Sequence, residues 1–256
     1  MSIQSYFTRS LTIEILKAKG TLVLWLALVA PLFVVGVAFT ASYLEGYKFY
    51  HKGVNPWIEF TGHILVGWSL FIFPIYVSLQ SALVSAIEHQ ADTWKSVYSL
   101  PLPKWSVFYA KLALFTGLLA ISHLVLFGFA EGAGWLLSEL KPHYNFQLFT
   151  IRPVLAQACF NILLSGLGMA SLQFYIGLRF RSFIIPAGFG LFITLAGVIS
   201  RSQPISRASP YLSPINFFHN ATQADGWHYG YVYISLLTYI LGAIAGFLST
   251  SQRDVV

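Results

Sequence analysis

Charged residues are scarce in this chain. Asp, Glu, Lys and Arg make up 9% of its 256 residues, whereas soluble domains carry about 25%. Hydrophobic residues reach 56%. This composition excludes an ordinary soluble domain and indicates an integral membrane protein, which we expect to form a single domain over residues 1–256.

The chain also lacks the residue patterns of common enzymes and metal proteins. Its only cysteine, Cys159, excludes an internal disulfide and any multi-cysteine metal site. It has no G-x-x-x-x-G-K-[ST] phosphate-binding loop, no H-E-x-x-H and no G-x-S-x-G. No two of the seven histidines stand three or four residues apart, which is the local spacing typical of metal ligands. We therefore expect no catalytic residues, no bound metal, and no ATP or Mg²⁺ held by this chain.

The positive charge of the chain does not indicate a nucleic-acid partner. The formal net charge is +6, but the basic residues are spread over several polar segments. Dispersed Lys and Arg next to apolar runs are explained by the anionic headgroups of a lipid bilayer. We expect the bilayer, and no nucleic acid, to be the partner of these charges.

Six apolar runs predict an all-α fold with six membrane-spanning helices. A bilayer core needs about 20 helical residues, and proline is tolerated inside such helices as a kink, which accommodates Pro31 and Pro74. Polar loops are expected between the runs, including a long one over 200–228. The predicted spans are 21–43, 62–87, 112–137, 153–178, 183–199 and 229–250.

Residues 3–19 predict a short amphipathic helix before the first span. Ile3, Phe7, Leu11 and Ile15 follow one another at four-residue spacing. Three polar residues interrupt this apolar side, namely Gln4, Ser10 and Glu14. The pattern favours a helix lying on the cytoplasmic leaflet, and the alternative is a frayed cytoplasmic tail.

The distribution of basic residues predicts the orientation. Nine Lys or Arg lie in the termini and the even-numbered connections, against six in the opposite set of loops. Because basic residues accumulate on the cytoplasmic side, both termini and the stretch 88–111 are expected to be cytoplasmic.

The polar stretch 88–111 lies between the second and third predicted spans. Residues 88–99 can form a helix, which Pro101 ends. Trp94, Val97 and Tyr98 then share one face, which suits docking into a partner's groove. The alternative is that the tryptophans anchor in the interface and the charges are solvated loop residues.

The order of residues in this stretch resembles a known family. Glu88 is followed by Thr93-Trp94-Lys95, then Leu100-Pro101, Lys104 and Lys111. This order resembles the cytoplasmic loop after the second span of ABC-2 type transporter permeases, and most of all the bacteriocin- and lantibiotic-immunity branch. The six-span layout extends the resemblance over essentially the whole chain.

The resemblance implies a function and partners. It implies an exporter permease in the bacterial plasma membrane, with an elbow helix before the first span, a coupling helix between the second and third spans, and re-entrant helices within 200–228. It also implies a separate ATP-binding subunit that holds ATP and Mg²⁺, a second permease chain, identical or homologous, and an amphipathic or peptide-like substrate. The residues expected to couple to the ATPase are Glu88, Thr93, Trp94, Lys95, Tyr98, Pro101 and Lys104. The alternatives are an ABC-2 permease for a lipid or for metal-centre maturation, an ATP-independent carrier, and an intramembrane enzyme, for which no motif is found.

Polar residues inside membrane spans are functional candidates by default. Gln157 and Asn161 are four residues apart in the fourth predicted span, and therefore on one helix face. They are candidates for a substrate path, and the alternative is bonding to a neighbouring helix. The full set of such residues is Gln80, His123, Glu131, Gln157, Asn161 and Gln173.

Overall fold

The computed structural model describes residues 3–50, 53–90, 102–180, 182–200, 203, 209–223 and 229–251. All regular secondary structure within these residues is helical, which confirms the predicted all-α class. The coupling residues Thr93, Trp94, Lys95, Tyr98 and Pro101 lie outside the described residues.

Two helices form the first part of the chain. Helix α1 covers Ile3–Ala18 and helix α2 covers Leu22–Glu45. Gly20 lies between them with a φ of 78°, a left-handed conformation that suits glycine because it has no Cβ. Pro31 lies inside α2 without ending it, as its position in an apolar run predicts.

The second apolar segment starts six residues before its predicted position at 62. It consists of α3 (Pro56–Gly67), a π-helical turn (Trp68–Ile72) and α4 (Phe73–Gln90). The side chain of Asn55 accepts a hydrogen bond from the Trp57 amide at 3.0 Å and caps α3. Such a cap and a proline in the first turn start a helix before its sequence becomes wholly apolar. The π turn widens the helix just before Pro74, where an ordinary turn would clash with the proline ring.

Helix α5 is the longest element and exceeds its predicted span at both ends. It covers Lys104–Leu140, 37 residues, or about 55 Å at 1.5 Å per residue, instead of 112–137. The prediction ended the helix at its polar residues. These residues continue the helix because α1 and the chain near Phe146 pack against its two ends.

The remaining helices follow the predicted order. Helix α6 covers Arg152–Arg179, α7 covers Ile184–Ile199 and α9 covers Gly230–Ser251. The predicted loop 138–152 holds the end of α5 and two 3₁₀ turns, Pro142–Tyr144 and Phe146–Leu148. Within the predicted loop 200–228, helix α8 covers Ser213–Gln223.

Five helical segments of the described chain are long and apolar enough to cross a membrane. They are α2, the α3–α4 segment, α5, α6 and α9. Helix α7 is apolar but has only 16 residues, or about 24 Å, against a hydrocarbon core of about 30 Å. The prediction of six spans therefore has five matching helices of full length and one shorter apolar helix.

Helix α6 lies at the centre of the bundle. It packs against α9 along its length and against α4, α5 and α8, while α1 and α2 pack on α5 and α7 packs on α4. We call the end of the bundle that holds α1, Lys104 and Ser251 the α1 end, and the opposite end the Phe146 end. Four aromatic side chains from distant positions meet at the Phe146 end, namely Tyr50, Trp57, Phe60 and Phe146.

Hydrogen bonds satisfy the polar side-chain atoms of Trp57 and Tyr50 in this aromatic cluster. Trp57 Nε1 donates to the Phe146 carbonyl at 3.0 Å, and Tyr50 Oη donates to Ser42 Oγ at 2.7 Å. Burial raises the pKa of Tyr50 to about 12.

Candidate functional site

The predicted coupling stretch joins two helix ends in the structure. Glu88 belongs to the last turn of α4, and Lys104 is the first residue of α5. From the sequence we expected Lys104 in a loop and Lys111 at the opening of the next span. In the structure both residues lie within α5. Pro103 occupies the N-cap position of α5, and α1 packs on the first turns of the helix.

Lys104 connects α5 to the end of the last helix. Its Nζ donates to the carbonyl of Ser251 at 3.0 Å. The final carbonyls of a helix have no partner within it, so a lysine is a favourable donor there. This hydrogen bond links the start of α5 to the last turn of α9.

A buried ion pair joins α1 to α5. Glu14 Oε2 accepts from Lys111 Nζ at 2.6 Å, and these side chains are only 4% and 3% exposed. Glu14 Oε1 also accepts from Lys17 Nζ at 2.8 Å. Desolvated charges are tolerated when they are paired and hydrogen-bonded, and this carboxylate has a lysine on each oxygen.

Two polar residues of α1, Ser10 and Glu14, face the protein. Ser10 Oγ lies 3.0 Å from Ser106 Oγ of α5, and Ser10, Glu14 and Ala18 are all buried at four-residue spacing. Ile15 and Leu16 are 50% and 62% exposed. In the sequence, Ser10 and Glu14 interrupt the apolar side of this helix. In the structure they are buried on that side, where α1 packs on α5.

Sequence reasoning missed this ion pair because it treated the two charges separately. A signal was present, since Glu14 interrupts an apolar side and Lys111 interrupts an apolar run. An acid and a base that each break such a pattern are candidates for pairing, because either charge buried alone is costly.

Two charged contacts delimit the uncharged part of α5. Lys111 and Glu131 are twenty residues apart with no Asp, Glu, Lys or Arg between them, which corresponds to about 30 Å of helix. This length matches a bilayer core. Glu131 Oε2 accepts from Arg152 Nε at 2.7 Å, and the Arg152 side chain is 75% exposed.

Gln157 and Asn161, the candidates for a substrate path, have different surroundings. Gln157 is exposed on α6, and its Nε2 lies 3.4 Å from Tyr229 Oη. Asn161 is 3% exposed, and its Nδ2 has no hydrogen-bond partner among the described residues. Their role in a substrate path stays a prediction.

Gln173 forms a polar joint that sequence spacing did not reveal. Its Oε1 accepts from Tyr211 Oη at 2.5 Å, and its Nε2 donates to the Pro186 carbonyl at 2.5 Å. Ser81 Oγ of α4 donates to the Gln173 carbonyl at 2.6 Å. One residue of α6 thus connects α4, α7 and the chain that leads into α8, as polar side chains do between membrane helices.

His123 and Gln80 are also used for packing. Trp68 Nε1 donates to His123 Nε2 at 3.1 Å. The other ring nitrogen, Nδ1, therefore carries the proton and donates to the Leu119 carbonyl at 2.8 Å. Gln80 Nε2 donates to the Val23 carbonyl at 2.9 Å. Both contacts are fully within the bundle, and the described residues contain no group of three potential metal ligands.

Comparison with known proteins gives one match. A family model described as "ABC-2 family transporter protein" matches residues 10–197. No curated protein and no solved structure matches the chain.

Proposed function

Because the chain belongs to the ABC-2 family of transporter proteins, we propose that it is the permease subunit of an exporter driven by a separate ATP-binding chain. Members of this family are membrane subunits that work with an ABC ATP-binding subunit. The observation that carries the proposal is the family match, which covers α2 to α7 and most of α1.

The proposed ATPase contact is the stretch between α4 and α5. Glu88, Thr93, Trp94, Lys95, Tyr98, Pro101 and Lys104 would form it, with a short coupling helix that presents Trp94 and Tyr98 on one face. Support comes from the two ends of this stretch, because α5 begins at Lys104 and contacts both α1 and α9. ATP-driven closure of the ATPases would then press on α5.

The proposed cargo is an amphipathic or peptide-like molecule, as in the bacteriocin-immunity branch that the coupling motif resembles. Of the two substrate-path candidates we favour Gln157, because its side chain is exposed whereas that of Asn161 is buried. A lipid, or cargo for metal-centre maturation, is the alternative within the same family. An ATP-independent carrier is the alternative outside it.

The proposed setting is a bacterial plasma membrane with both termini in the cytoplasm. The α1 end would then face the cytoplasm and the Phe146 end the outside. A second permease chain, identical or homologous, would complete the transporter. The exposed apolar side chains of α2 and α7, such as Trp25 and Phe192, leave surfaces for lipid or for that chain.

Substitution of Trp94 tests the coupling proposal. Trp94→Ala removes an aromatic anchor, which at an interface costs roughly 2–4 kcal/mol, or about a thirtyfold or larger loss of affinity. We expect normal membrane insertion and weak co-purification of the ATPase.

Trp105→Ala is the matched control. Trp105 is the second residue of α5 and is partly exposed, so its loss should affect docking much less. Unchanged ATPase retention in Trp94→Ala would disprove the docking face. ATP hydrolysis by the pure chain would contradict the permease assignment itself.

A further inference from the structure

The first two turns of α5 are held by α1 through polar contacts. Glu14 pairs with Lys111 at 2.6 Å, and Ser10 lies 3.0 Å from Ser106. These two contacts are four residues apart on α1 and five apart on α5. They therefore fix both the position of α1 along α5 and its rotation.

Part of the apolar surface of α1 faces away from the protein. Ile15 and Leu16 are exposed to the surroundings, where a bilayer surface would contact them. An interfacial helix needs no buried charge to stay on a membrane. Glu14 and Lys111 instead bind α1 to the protein, at the level where the uncharged part of α5 begins.

Helix α5 is suited to transmit movement from this point. It contains no proline over its 37 residues, whereas α2, α4 and α7 each contain one. Prolines and π turns are the usual sites of sharp helix kinks. Displacement of the residues before Lys104 would therefore reach the spanning part of α5 without an intervening proline or π turn.

From these observations, and resting on the proposed function, we infer that α1 and the first two turns of α5 form one rigid element. The Glu14–Lys111 ion pair holds the two helices together, and we call this pair the lock. The ATPase would move this element as a unit, so that α1 travels with α5 and does not slide over it.

A disulfide between the two helices tests the lock in the chain alone. Ser10→Cys and Ser106→Cys, with Cys159→Ala to remove the native thiol, should cross-link efficiently on mild oxidation with copper phenanthroline. Glu14→Lys should lower the cross-linking yield at least fivefold, and Glu14→Lys with Lys111→Glu should restore it.

Thr12→Lys is the matched control, since it adds the same lysine at an exposed position of α1 and should leave the yield unchanged. Cross-linking of Glu14→Lys at the yield of the parent protein would overturn the lock.

The same disulfide tests rigid movement in the complex with the ATPase. In vesicles, the cross-linked complex should hydrolyse ATP within twofold of the reduced complex. A tenfold or larger loss that dithiothreitol reverses would show that α1 and α5 must separate, and would overturn the inference. Absence of any ATPase from wild-type preparations would instead contradict the proposed function, and the cross-linking yields would still decide whether the lock exists.

Discussion

Gly190 of α7 gives the sharpest test of how the short apolar helix is packed. A Cβ at this position would overlap Ser78 Oγ of α4 and lie 2.5 Å from Ser78 Cβ, whereas carbon atoms pack at about 3.5–4.0 Å. Rotation of the Ser78 side chain does not relieve the contact, because its Cβ is itself too close. We expect α7 to be displaced in Gly190→Ala, which should lower the free energy of unfolding by about 1–3 kcal/mol.

Gly188→Ala is the internal control for this prediction. A Cβ at Gly188, on the same helix, meets no atom within 4 Å. Both substitutions share the gain of about 0.5–1 kcal/mol that alanine brings to a helix. The difference between the two variants is therefore the packing cost alone.

Cys159 provides the assay. It is the only cysteine in the chain and it is buried, so a thiol-reactive fluorophore reports the opening of the bundle during heating. A packing cost of about 2 kcal/mol corresponds to a midpoint lower by about 4–8 °C for a chain of this size. Equal midpoints for the two variants would show that α7 does not pack closely on α4.

Three further predictions follow from the structure. Glu14→Gln should lower the thermal midpoint in the same assay, since breaking a buried ion pair costs about 3–5 kcal/mol. The double substitution Glu14→Leu with Lys111→Met should recover most of that loss. An unchanged midpoint in Glu14→Gln would contradict the pairing. Gln173→Leu should lower the free energy of unfolding by about 1–3 kcal/mol, because it removes the amide partner of Tyr211 and of the Pro186 carbonyl. The double variant with Tyr211→Phe should lose less stability than the sum of the two single variants. Single cysteines at Ser99 and Ser209, in a Cys159-free background, should react with an impermeant reagent from opposite sides of the membrane, and labelling from one side would disprove the six-span topology.

The apolar runs located the helices and, for four of the six spans, both helix ends to within two residues. They did not locate the ends of the α3–α4 segment or of α5. A membrane span needs about 20 apolar residues, so runs of this length are visible in the sequence. The ends depend on caps and on packing partners elsewhere in the chain. Asn55 starts α3 before the apolar run, and α5 begins at Lys104 because α1 covers its first turns.

Four-residue spacing in a sequence places two residues on one helix face, but it does not show what lies opposite that face. Gly242 and Gly246 stand on one face of α9, and Gly242 closely faces Ser171, to whose Oγ an added Cβ would lie 2.5 Å. Gly128 and Gly132 have the same spacing on α5 and face open space. The spacing is identical, and only the tertiary structure distinguishes a helix crossing from an exposed face.

Glu14 shows why the candidate site was only partly predictable. An amphipathic helix is predicted from the regular spacing of its apolar residues, and Glu14 interrupts that spacing in α1. In the fold, Glu14 instead stabilises the packing of α1, because Lys111, ninety-seven residues later, supplies the opposite charge. Residues that violate a local pattern are often those that a tertiary contact or a function requires. In a chain with so few charges, each carboxylate or lysine that interrupts an apolar pattern is therefore a place to look for a partner. The pairing of Glu14 with Lys111 lies where the long uncharged part of α5 begins.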